Sequence, residues 1–583
     1  MRGLGKVLTF MRPYKRPLAF SAALTGLLTI IGMAPPLLMR RLINDVAREG
    51  EWGIFPLIIT LLFAVPLFQA IVNVVNSITL NRVTLGVIRE TRRRLFDRLL
   101  RLSMSYYKKT PVGSLRQRLM DDVANISGIV TGGIITLLTD VIAVAFAVVA
   151  MFLLSPMLLL LVLALLPLYY LNYWFFSGRM QAANAQLRSR MDHVSSMLQE
   201  RLSGHELIQS YGQGDRNAAQ FSSQAKQVMD SAVRGSNYSI SFNQLAAFIN
   251  RIGNTLIYCA GCYFFVRGTM EFGDVIAFCA YATQLLGPVV RFSTVANQLV
   301  QVGVSVDRIQ EILDQEPAIR EAPDAAPVET VQGHLRIDGV TFGYDQEHAV
   351  LRDVRLDIPP GTHLAVVGPH GAGRTTLAML LRRFYDVGGG RIEFDGADIR
   401  ELRLQDYRRA VAMVRSESAL FDGTIRENVC YGKPEAAEER MIEVSKAIGL
   451  HEFVQELAEG YETKIGAGGL RVSAGIQQQI GVARALISEP GVLIVDEAIA
   501  SLDPHTADTV NRAIIDLMRD RTCILVVHRL LMARGADQVA VIENGTVAQI
   551  GTHQELIRDV KGLYGRLFAL QYGEDRLLSE SGE

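Results

Sequence analysis

The stretch GPHGAGRTT, Gly368 to Thr376, decides the fold of the second half of the chain. In a loop of the pattern G-x-x-x-x-G-K-[ST], successive backbone N–H groups turn onto phosphates, a lysine reaches the outer phosphate oxygens and a hydroxyl holds Mg²⁺. Gly368, Gly373 and Thr375 fit this pattern, but Arg374 stands where the pattern has lysine. Arginine keeps the charge but spreads it over a wide planar fork, so the exchange is not conservative at a crowded phosphate. The sequence therefore predicts a nucleotide site with an altered cation.

The residues around this loop supply the expected context. The run HLAVVG at 363–368 has the composition of a strand, and TTLAMLLRRF at 375–384 opens a helix. A strand, a glycine-rich loop and a helix in that order distinguish a phosphate loop from a chance match. The residues predicted to bind the nucleotide phosphates are Gly368, Pro369, His370, Gly371, Ala372, Gly373, Arg374, Thr375 and Thr376.

Two further apolar runs end in side chains suited to phosphate chemistry. VLIVDEA at 492–498 ends in Asp496 and Glu497, and CILVVH at 523–528 ends in His528. Because ligands bind at the carboxyl ends of parallel strands, we expect Asp496 and Thr375 to hold Mg²⁺ and Glu497 to activate water. His528 is predicted to contact the γ-phosphate. For the two carboxylates, an ordinary acidic helix cap is the alternative interpretation.

Composition divides the 583 residues into a membrane half and a soluble half. The chain has 59 basic and 59 acidic residues, so its net charge indicates neither a nucleic acid nor an acidic partner. Apolar runs near the roughly 20 residues that cross a bilayer predict a six-helix, all-α transmembrane domain, followed by an α/β phosphate-loop nucleotide-binding domain. The predicted spans are 17–40, 54–82, 128–153, 156–178, 246–267 and 273–300.

Long polar helical stretches at about 83–127 and 179–245 separate these spans, with breaks expected at Lys108–Ser114 and Ser210–Arg216. Basic residues after the second span place these stretches, the soluble half and both termini in the cytoplasm. We expect a plasma-membrane protein, in a bacterium an inner-membrane protein, that begins with an interfacial helix. The predicted domains are a membrane domain at 1–315, a linker at 316–333 and a nucleotide domain at 334–583.

In these motifs the chain resembles the ATP-binding cassette exporters, as a half-transporter of the multidrug or lipid-flippase type. The resemblance covers nearly the whole chain and includes FGY at 342–344, ASLD at 500–503, VSAGIQQQIGVARAL at 472–486 and YYKKTPVGSLRQRLMDDV at 106–123. It implies two nucleotide domains that meet head to tail around two ATP molecules, and ATP and Mg²⁺ as cofactors. By the same resemblance Tyr344 stacks on adenine, while Ser473, Gly475 and Asp503 complete the ATP sites.

Four departures from the family pattern fall on functional positions. They are Arg374, the signature VSAGI at 472–476 in place of L-S-G-G-Q, Ser416 in place of the glutamine that reaches Mg²⁺, and Ala467 in place of an acidic residue. With Glu497 and His528 intact, these changes predict reduced turnover and one subunit of a heterodimeric exporter with one degenerate site. The alternatives are sequence drift or engineered substitution, a slow homodimeric exporter, and a regulatory subunit that binds ATP and gates its partner.

The substrate is predicted to be a lipid, drug or other amphiphile moved by alternating access among membrane lipids. Arg251 and Arg291 lie within apolar runs, where charges usually face a cavity or a partner. They are candidates for a substrate path with affinity for anions. The alternatives are hydrogen bonding from helix to helix and a position nearer the lipid headgroups.

Overall fold

The computed structural model describes residues 12–128, 133–345, 347–415, 418–497, 502 and 504–573. The predicted interfacial helix at the start of the chain lies largely outside these residues. The chain forms two compact units. One comprises Met1–Leu100 and Val112–Gln315, and the other comprises Arg101–Pro111 and Glu316–Glu583.

The first half of the chain is helical in the part that the structure describes. Its helices, numbered here in chain order, are α1 (Lys15–Gly32), α2 (Ala34–Arg41), α3 (Phe55–Arg101), α4 (Met104–Lys109), α5 (Val112–Gln117), α6 (Val123–Gly128), α7 (Ile134–Leu154), α8 (Pro156–Ser203), α9 (His205–Ser210), α10 (Gly214–Val266) and α11 (Phe272–Asp314). Two π-helical segments, Leu42–Arg48 and Arg118–Asp122, lie between them.

Helix length accounts for the polar stretches between the predicted spans. Helices α3, α8 and α10 have 47, 48 and 53 residues. At a rise of about 1.5 Å per residue they are about 70–80 Å long, more than twice the roughly 30 Å hydrocarbon core of a bilayer. Both predicted breaks are confirmed, because α4 ends at Lys109 and α10 begins only at Gly214.

Four segments of the described chain are long and apolar enough to cross a membrane: Lys15–Arg48, Trp52–Arg101, Ile135–Leu154 and Pro156–Ser203. They correspond to the first four predicted spans. The fifth and sixth predicted spans lie within α10 and α11, which are helical but do not meet that criterion of length and composition. The number of six crossings therefore stays a prediction.

Hydrogen bonds from polar side chains join helices of this unit. Asn76 on α3 donates to Thr25 on α1 at 2.9 Å, and Tyr281 on α11 donates to the Met33 carbonyl at 2.6 Å. Such bonds satisfy polar groups that lipid cannot solvate. An apolar cluster that includes Met151 on α7, Leu158 on α8 and Phe278 on α11 fills the space between these helices.

The second unit is built on a six-stranded sheet and a smaller antiparallel sheet. The strands are β1 (Leu335–Phe342), β2 (Leu351–Ile358), β3 (His363–Val367), β4 (Gly389–Phe394), β5 (Ala397–Asp398), β6 (Val411–Arg415), β7 (Gly423–Thr424), β8 (Lys464–Ile465), β9 (Val492–Asp496), β10 (Thr522–Val526), β11 (Gln538–Glu543) and β12 (Thr546–Gly551). The large sheet has the order β12-β11-β3-β10-β9-β6, and the smaller one the order β2-β1-β4-β5.

Alternating residues of the central strands enter two different apolar clusters. Leu364 and Val366 of β3 belong to the cluster shared with β1 and β2, whereas Ala365 and Val367 belong to the cluster on the opposite face. All five residues of β3 are buried. A parallel strand covered on both faces has this continuous apolar composition, which is why the runs before the phosphate loop and before Asp496 have no polar alternation.

Helices surround these sheets, and the predicted linker is attached to them. The helices are α12 (Arg374–Leu381), α13 (Leu404–Ala410), α14 (Ile425–Val429), α15 (Glu438–Ala447), α16 (Leu450–Gln455), α17 (Ala474–Leu486), α18 (Pro504–Leu517), α19 (His553–Arg558) and α20 (Leu563–Tyr572). Within the linker, the Ala326 amide donates to Glu401 at 2.8 Å, and the Arg320 carbonyl accepts from Arg383. This segment therefore packs on the nucleotide domain, although its composition predicts a free connection.

Candidate functional site

Glycines shape the loop between β3 and α12. A Cβ added at Gly368 would lie 2.2 Å from the Ile542 carbonyl oxygen, so no other residue fits against β11 there. Gly373 has φ of +103° and precedes the first turn of α12. This left-handed conformation is accessible to glycine at little cost. The loop therefore leads directly into the N-terminus of α12, where backbone N–H groups favour an anion.

The side chain of Arg374 lies inside the site and is only 5% exposed. Its Nη1 donates to the Val527 carbonyl at 2.7 Å. Its Nη2 lies 3.1 and 3.2 Å from the two ring nitrogens of His528. Burial lowers the pKa of Arg374, while the nearby Glu497 and Asp496 charges act in the opposite direction. The Val527 carbonyl and the His528 ring, just after β10, therefore hold the Arg374 guanidinium in place. The more compact ammonium of a lysine would reach these two groups less readily.

Glu497 and His528 meet, as the sequence predicts for two groups at the carboxyl ends of β9 and β10. The His528 Nε2 contacts Glu497 Oε1. A neutral imidazole that donates from Nε2 leaves Nδ1 free to accept from Arg374, so one tautomer satisfies both contacts. Glu497 itself has φ of +54°, a left-handed conformation that is uncommon outside glycine and asparagine. Such strain is typical of functional positions.

Thr375 and Asp496, which the sequence predicts as metal ligands, lie side by side. The Thr375 hydroxyl donates to Asp496 Oδ1 at 3.2 Å. Asp496 is 4% exposed, and burial raises its pKa above the ordinary value although the Thr375 bond opposes the shift. A hydroxyl and a buried carboxylate side by side are hard oxygen ligands, which fit Mg²⁺ with further oxygens from phosphate and water.

Tyr344 lies beside the phosphate loop on an aromatic cluster. Its hydroxyl is 3.1 Å from the Thr376 hydroxyl, and its ring makes edge-to-face contacts with Phe342 and Tyr385 at 5.2 and 5.3 Å between centroids. The residue as a whole is 41% exposed. An exposed aromatic face next to a phosphate loop is suited to stacking on a nucleobase.

The signature residues form a separate site. Ser473 caps α17, its hydroxyl accepting from the Ile476 amide at 3.3 Å. A Cβ at Gly475 would lie 3.5 Å from Leu502, an ordinary contact, so a side chain would fit within this chain. Ile480 and Val482 anchor α17 in the cluster opposite to that of the phosphate loop. Among the described residues, no hydrogen bond joins Ser473 or Gly475 to the loop at 368–376.

Three sequence positions remain, of which the structure describes only Ala467. Ser416, predicted as a weak metal ligand, and Asp503, predicted to bind ATP, both lie outside the described residues. Ala467, which replaces the acidic residue before the signature, is exposed.

The two candidate arginines of the substrate path have different environments. Arg291 on α11 pairs with Asp140 on α7 through two bonds of 3.0 and 2.6 Å. The Asp140 side chain is only 4% exposed. Arg251 is exposed on α10. The geometry favours the helix-to-helix alternative for Arg291, because its charge is already compensated within the fold.

Sequence reasoning missed two side chains of the nucleotide region. Lys108 on α4 places its ammonium over the Tyr344 ring, and Tyr385 contacts that ring edge to face. The sequence places Lys108 in a cytoplasmic basic segment, at a helix break expected to face the soluble domain, but does not predict its contact with Tyr344. No local pattern distinguishes it from Lys109, because the contact joins residues more than 200 positions apart.

Comparisons with known proteins match both halves. The family model described as the ABC transporter transmembrane region matches residues 18–289, and the model described as ABC transporter matches residues 351–500. YknV of Bacillus subtilis, an uncharacterized ABC transporter ATP-binding protein, is 32% identical over 97% of this chain and 94% of its own length. YgaD of the same organism, provisionally named a multidrug export ATP-binding/permease protein, is 31% identical over 97% of this chain and 99% of its own.

A solved structure agrees in fold. A bacterial Atm1-family ABC exporter with ATP bound superposes with a TM-score of 0.81 at 24% identity, over 96% of this chain and 99% of that one. The matches extend across both units and place the phosphate loop within the region matched to ABC transporters. The chain therefore belongs to the ABC transporters, as a multi-pass membrane protein that joins a transmembrane region and an ATP-binding domain.

Proposed function

We propose that this chain is one half of an ATP-driven exporter or flippase for a lipid, drug or other amphiphile, and that its own phosphate loop supports slow turnover. The transport class is supported by relatives named for multidrug export and by the fold of an ABC exporter. The nucleotide domain and both termini lie in the cytoplasm in this proposal, as the basic residues after the second span indicate.

The chemistry follows from the side chains at the ends of β9 and β10. Thr375 and Asp496 would hold Mg²⁺, which would neutralise phosphate charge. Glu497 orients and deprotonates the attacking water, and His528 contacts the γ-phosphate, since both occupy the carboxyl edge of the sheet. Tyr344 stacks on the adenine ring. These assignments use oxygen, imidazole and aromatic groups that already lie around the loop.

The proposal of slow turnover rests on one observation: the guanidinium N–H groups of Arg374 are directed to the Val527 carbonyl and to His528. A lysine at this position would direct its ammonium to the phosphates without those bonds. Loss of one phosphate or transition-state donor commonly lowers a rate by about 10²–10³. We therefore expect this chain to hold ATP well and to hydrolyse it slowly.

The altered signature is a second argument for a weak ATP site, and it also indicates what kind of partner this chain needs. Ala474 adds a methyl group to the N-terminus of α17, and Ile476 removes a polar side chain from its first turn. A subunit with these changes and with intact Glu497 would meet a competent signature only on an unlike partner. We propose a heterodimer, in which the VSAGI helix of this chain closes the weaker ATP site.

Hydrolysis by the purified chain decides between a hetero- and a homodimer. The chain alone and the chain coexpressed with a second half-transporter that has the L-S-G-G-Q signature are reconstituted at equal nucleotide-site concentration. We expect the heterodimer to hydrolyse ATP faster by at least about tenfold. Fast, uncooperative hydrolysis by this chain alone would exclude the asymmetric arrangement.

A regulatory subunit is the second candidate, and Arg374, Ala474 and Ile476 support it. It differs in its prediction for Glu497. If this chain only gates a partner, Glu497→Gln leaves the heterodimer's hydrolysis unchanged. If it supplies the active site, the same substitution removes most of the hydrolysis. A matched Glu439→Gln substitution, on the exposed first turn of α15, controls for loss of a surface carboxylate.

A further inference from the structure

Lys108 covers the aromatic ring that is proposed to receive the nucleobase. Its Nζ lies 4.1 Å from the centroid of the Tyr344 ring and 5.5 Å from that of Tyr385. At these distances a cation is attracted by the negative face of each ring. An ammonium 4.1 Å from the centroid also occupies the volume in which a stacked base would lie.

The lysine is held there by the packing of its own helix. Met104, one turn earlier on α4, packs against the apolar cluster that contains Phe342 and Tyr385. Leu102, just before α4, is 8% exposed. The segment Arg101–Pro111 belongs to the same compact unit as the nucleotide domain. Lys108 therefore does not reach Tyr344 by chance, because apolar contacts fix the helix that carries it.

We propose that Lys108 competes with the nucleobase for the face of Tyr344, so that ATP binding displaces the lysine from the ring. The inference rests on the proposed role of Tyr344 as the adenine platform. Only two residues separate the start of α4 from the end of α3, a 47-residue helix of the membrane half. Displacement of Lys108 thus changes the attachment of a segment that is continuous with that helix.

Removal of the lysine should tighten nucleotide binding. A cation–π contact at an exposed site contributes about 0.5–1 kcal/mol. Without Lys108 the nucleotide no longer has to displace this contact, so its Kd should be about two- to fivefold lower. An ordinary basic residue near a triphosphate has the opposite effect, because its removal weakens attraction to the phosphates. The sign of the change therefore separates the two roles.

The experiment compares Lys108→Met with Lys109→Met in the full-length protein, with Mg²⁺ and the slowly hydrolysed analogue ATPγS measured by calorimetry. Both residues are exposed on α4, so the second variant removes the same charge without the ring contact. We expect tighter ATPγS binding by Lys108→Met alone. Unchanged or weaker binding by Lys108→Met, or equal tightening by Lys109→Met, would overturn the proposal.

Two further measurements identify the base as the competitor. Tripolyphosphate has the phosphates without the base, so Lys108→Met should not tighten its binding. Equal tightening for tripolyphosphate and ATPγS excludes competition at the ring. In a Tyr344→Ala background, Lys108→Met should have no effect on ATPγS, since the shared ring is gone.

Failure of this inference can be told from failure of the proposed base platform. If Tyr344→Ala weakens ATPγS binding while Lys108→Met does not tighten it, the platform stands and the competition is rejected. If Tyr344→Ala leaves ATPγS binding unchanged, the platform itself is rejected, and the competition with it.

Discussion

Arg291 in the helical unit and Arg374 in the phosphate loop are two arginines with different partners. Arg291 makes two bonds to the buried carboxylate of Asp140. Arg374 is itself buried, yet it bonds a carbonyl oxygen and an imidazole. Among the described residues, no carboxylate forms an ion pair with Arg374.

The difference separates a structural arginine from a functional one. The positive charge of Arg291 is compensated within the fold, so its main effect is to hold α7 against α11. Arg374 makes its hydrogen bonds to a carbonyl oxygen and an imidazole, while the charges of Glu497 and Asp496 lie nearby. Because backbone N–H groups at the N-terminus of α12 favour an anion, we propose that this cation serves a bound phosphate. The difference predicts loss of stability at one site and changed catalysis at the other.

The largest effect is expected from Arg291→Met. It leaves the buried Asp140 without its ion-pair partner. Breaking a fully buried pair costs about 3–5 kcal/mol, and we expect the lower end of this range because the Arg291 side chain is half exposed. For a domain of this size the apparent Tm in detergent should fall by roughly 5–10 °C.

Two variants control this result. Arg251→Met, at an exposed position of α10, should change the Tm little. The double variant Arg291→Met with Asp140→Asn should recover much of the loss, because no buried charge remains. If Arg291→Met leaves the Tm unchanged, the ion pair does not stabilise the helical unit, and the structural role that the comparison gives to Arg291 is wrong.

Next in size is the effect of Glu497→Gln on hydrolysis. A positioned general base contributes about 10²–10⁴ in rate, and we expect kcat to fall by about 10²–10³, or roughly 3–4 kcal/mol. ATP binding should remain, because the amide keeps the size of the side chain and can still accept from His528. The measurement is kcat for ATP hydrolysis beside the Kd for ATPγS, with Glu439→Gln as control. A kcat within threefold of the wild type would assign the base elsewhere.

A smaller effect, opposite in sign, is expected from Arg374→Lys. The ammonium should release the Val527 carbonyl and His528 and reach the phosphate oxygens, so kcat should rise by about tenfold, or roughly 1.4 kcal/mol. Arg374→Met, which removes the charge, should instead weaken ATPγS binding. An unchanged or lower kcat in Arg374→Lys would mean that arginine serves the phosphate as well as lysine does.

Local patterns predicted the strand, glycine-rich loop and helix that the structure has at this place. Gly368 and Gly373 are required by close approach to Ile542 and by a positive φ, and these constraints are local enough to leave a sequence pattern. Asp496, Glu497 and His528 follow apolar strands whose ends share one edge of a sheet. Their convergence could be inferred because parallel strands fix the edge at which their carboxyl ends lie.

Contacts between distant segments could not be predicted in this way. Asp140 lies 151 residues from Arg291, and no spacing in the sequence relates them. The apolar spans make Arg291 a candidate for a substrate path or for bonding between helices, and its pairing with Asp140 favours the second. The linker contains Pro, Ala and acidic residues typical of a free connection, yet its Ala326 amide bonds Glu401. In each case a partner from elsewhere in the chain decides the role.

The sequence by itself determined a helical membrane region, an α/β nucleotide domain and the set of side chains at its phosphate loop. These features could be predicted because glycine conformations and apolar periodicity depend on residues that are close together in the sequence. Only the tertiary structure decided what the charged side chains do. It holds Arg374 on Val527 and His528, pairs Arg291 with Asp140, and places Lys108 over Tyr344. The physical reason is that a charge acts according to the groups within a few ångströms of it, and folding alone selects those groups.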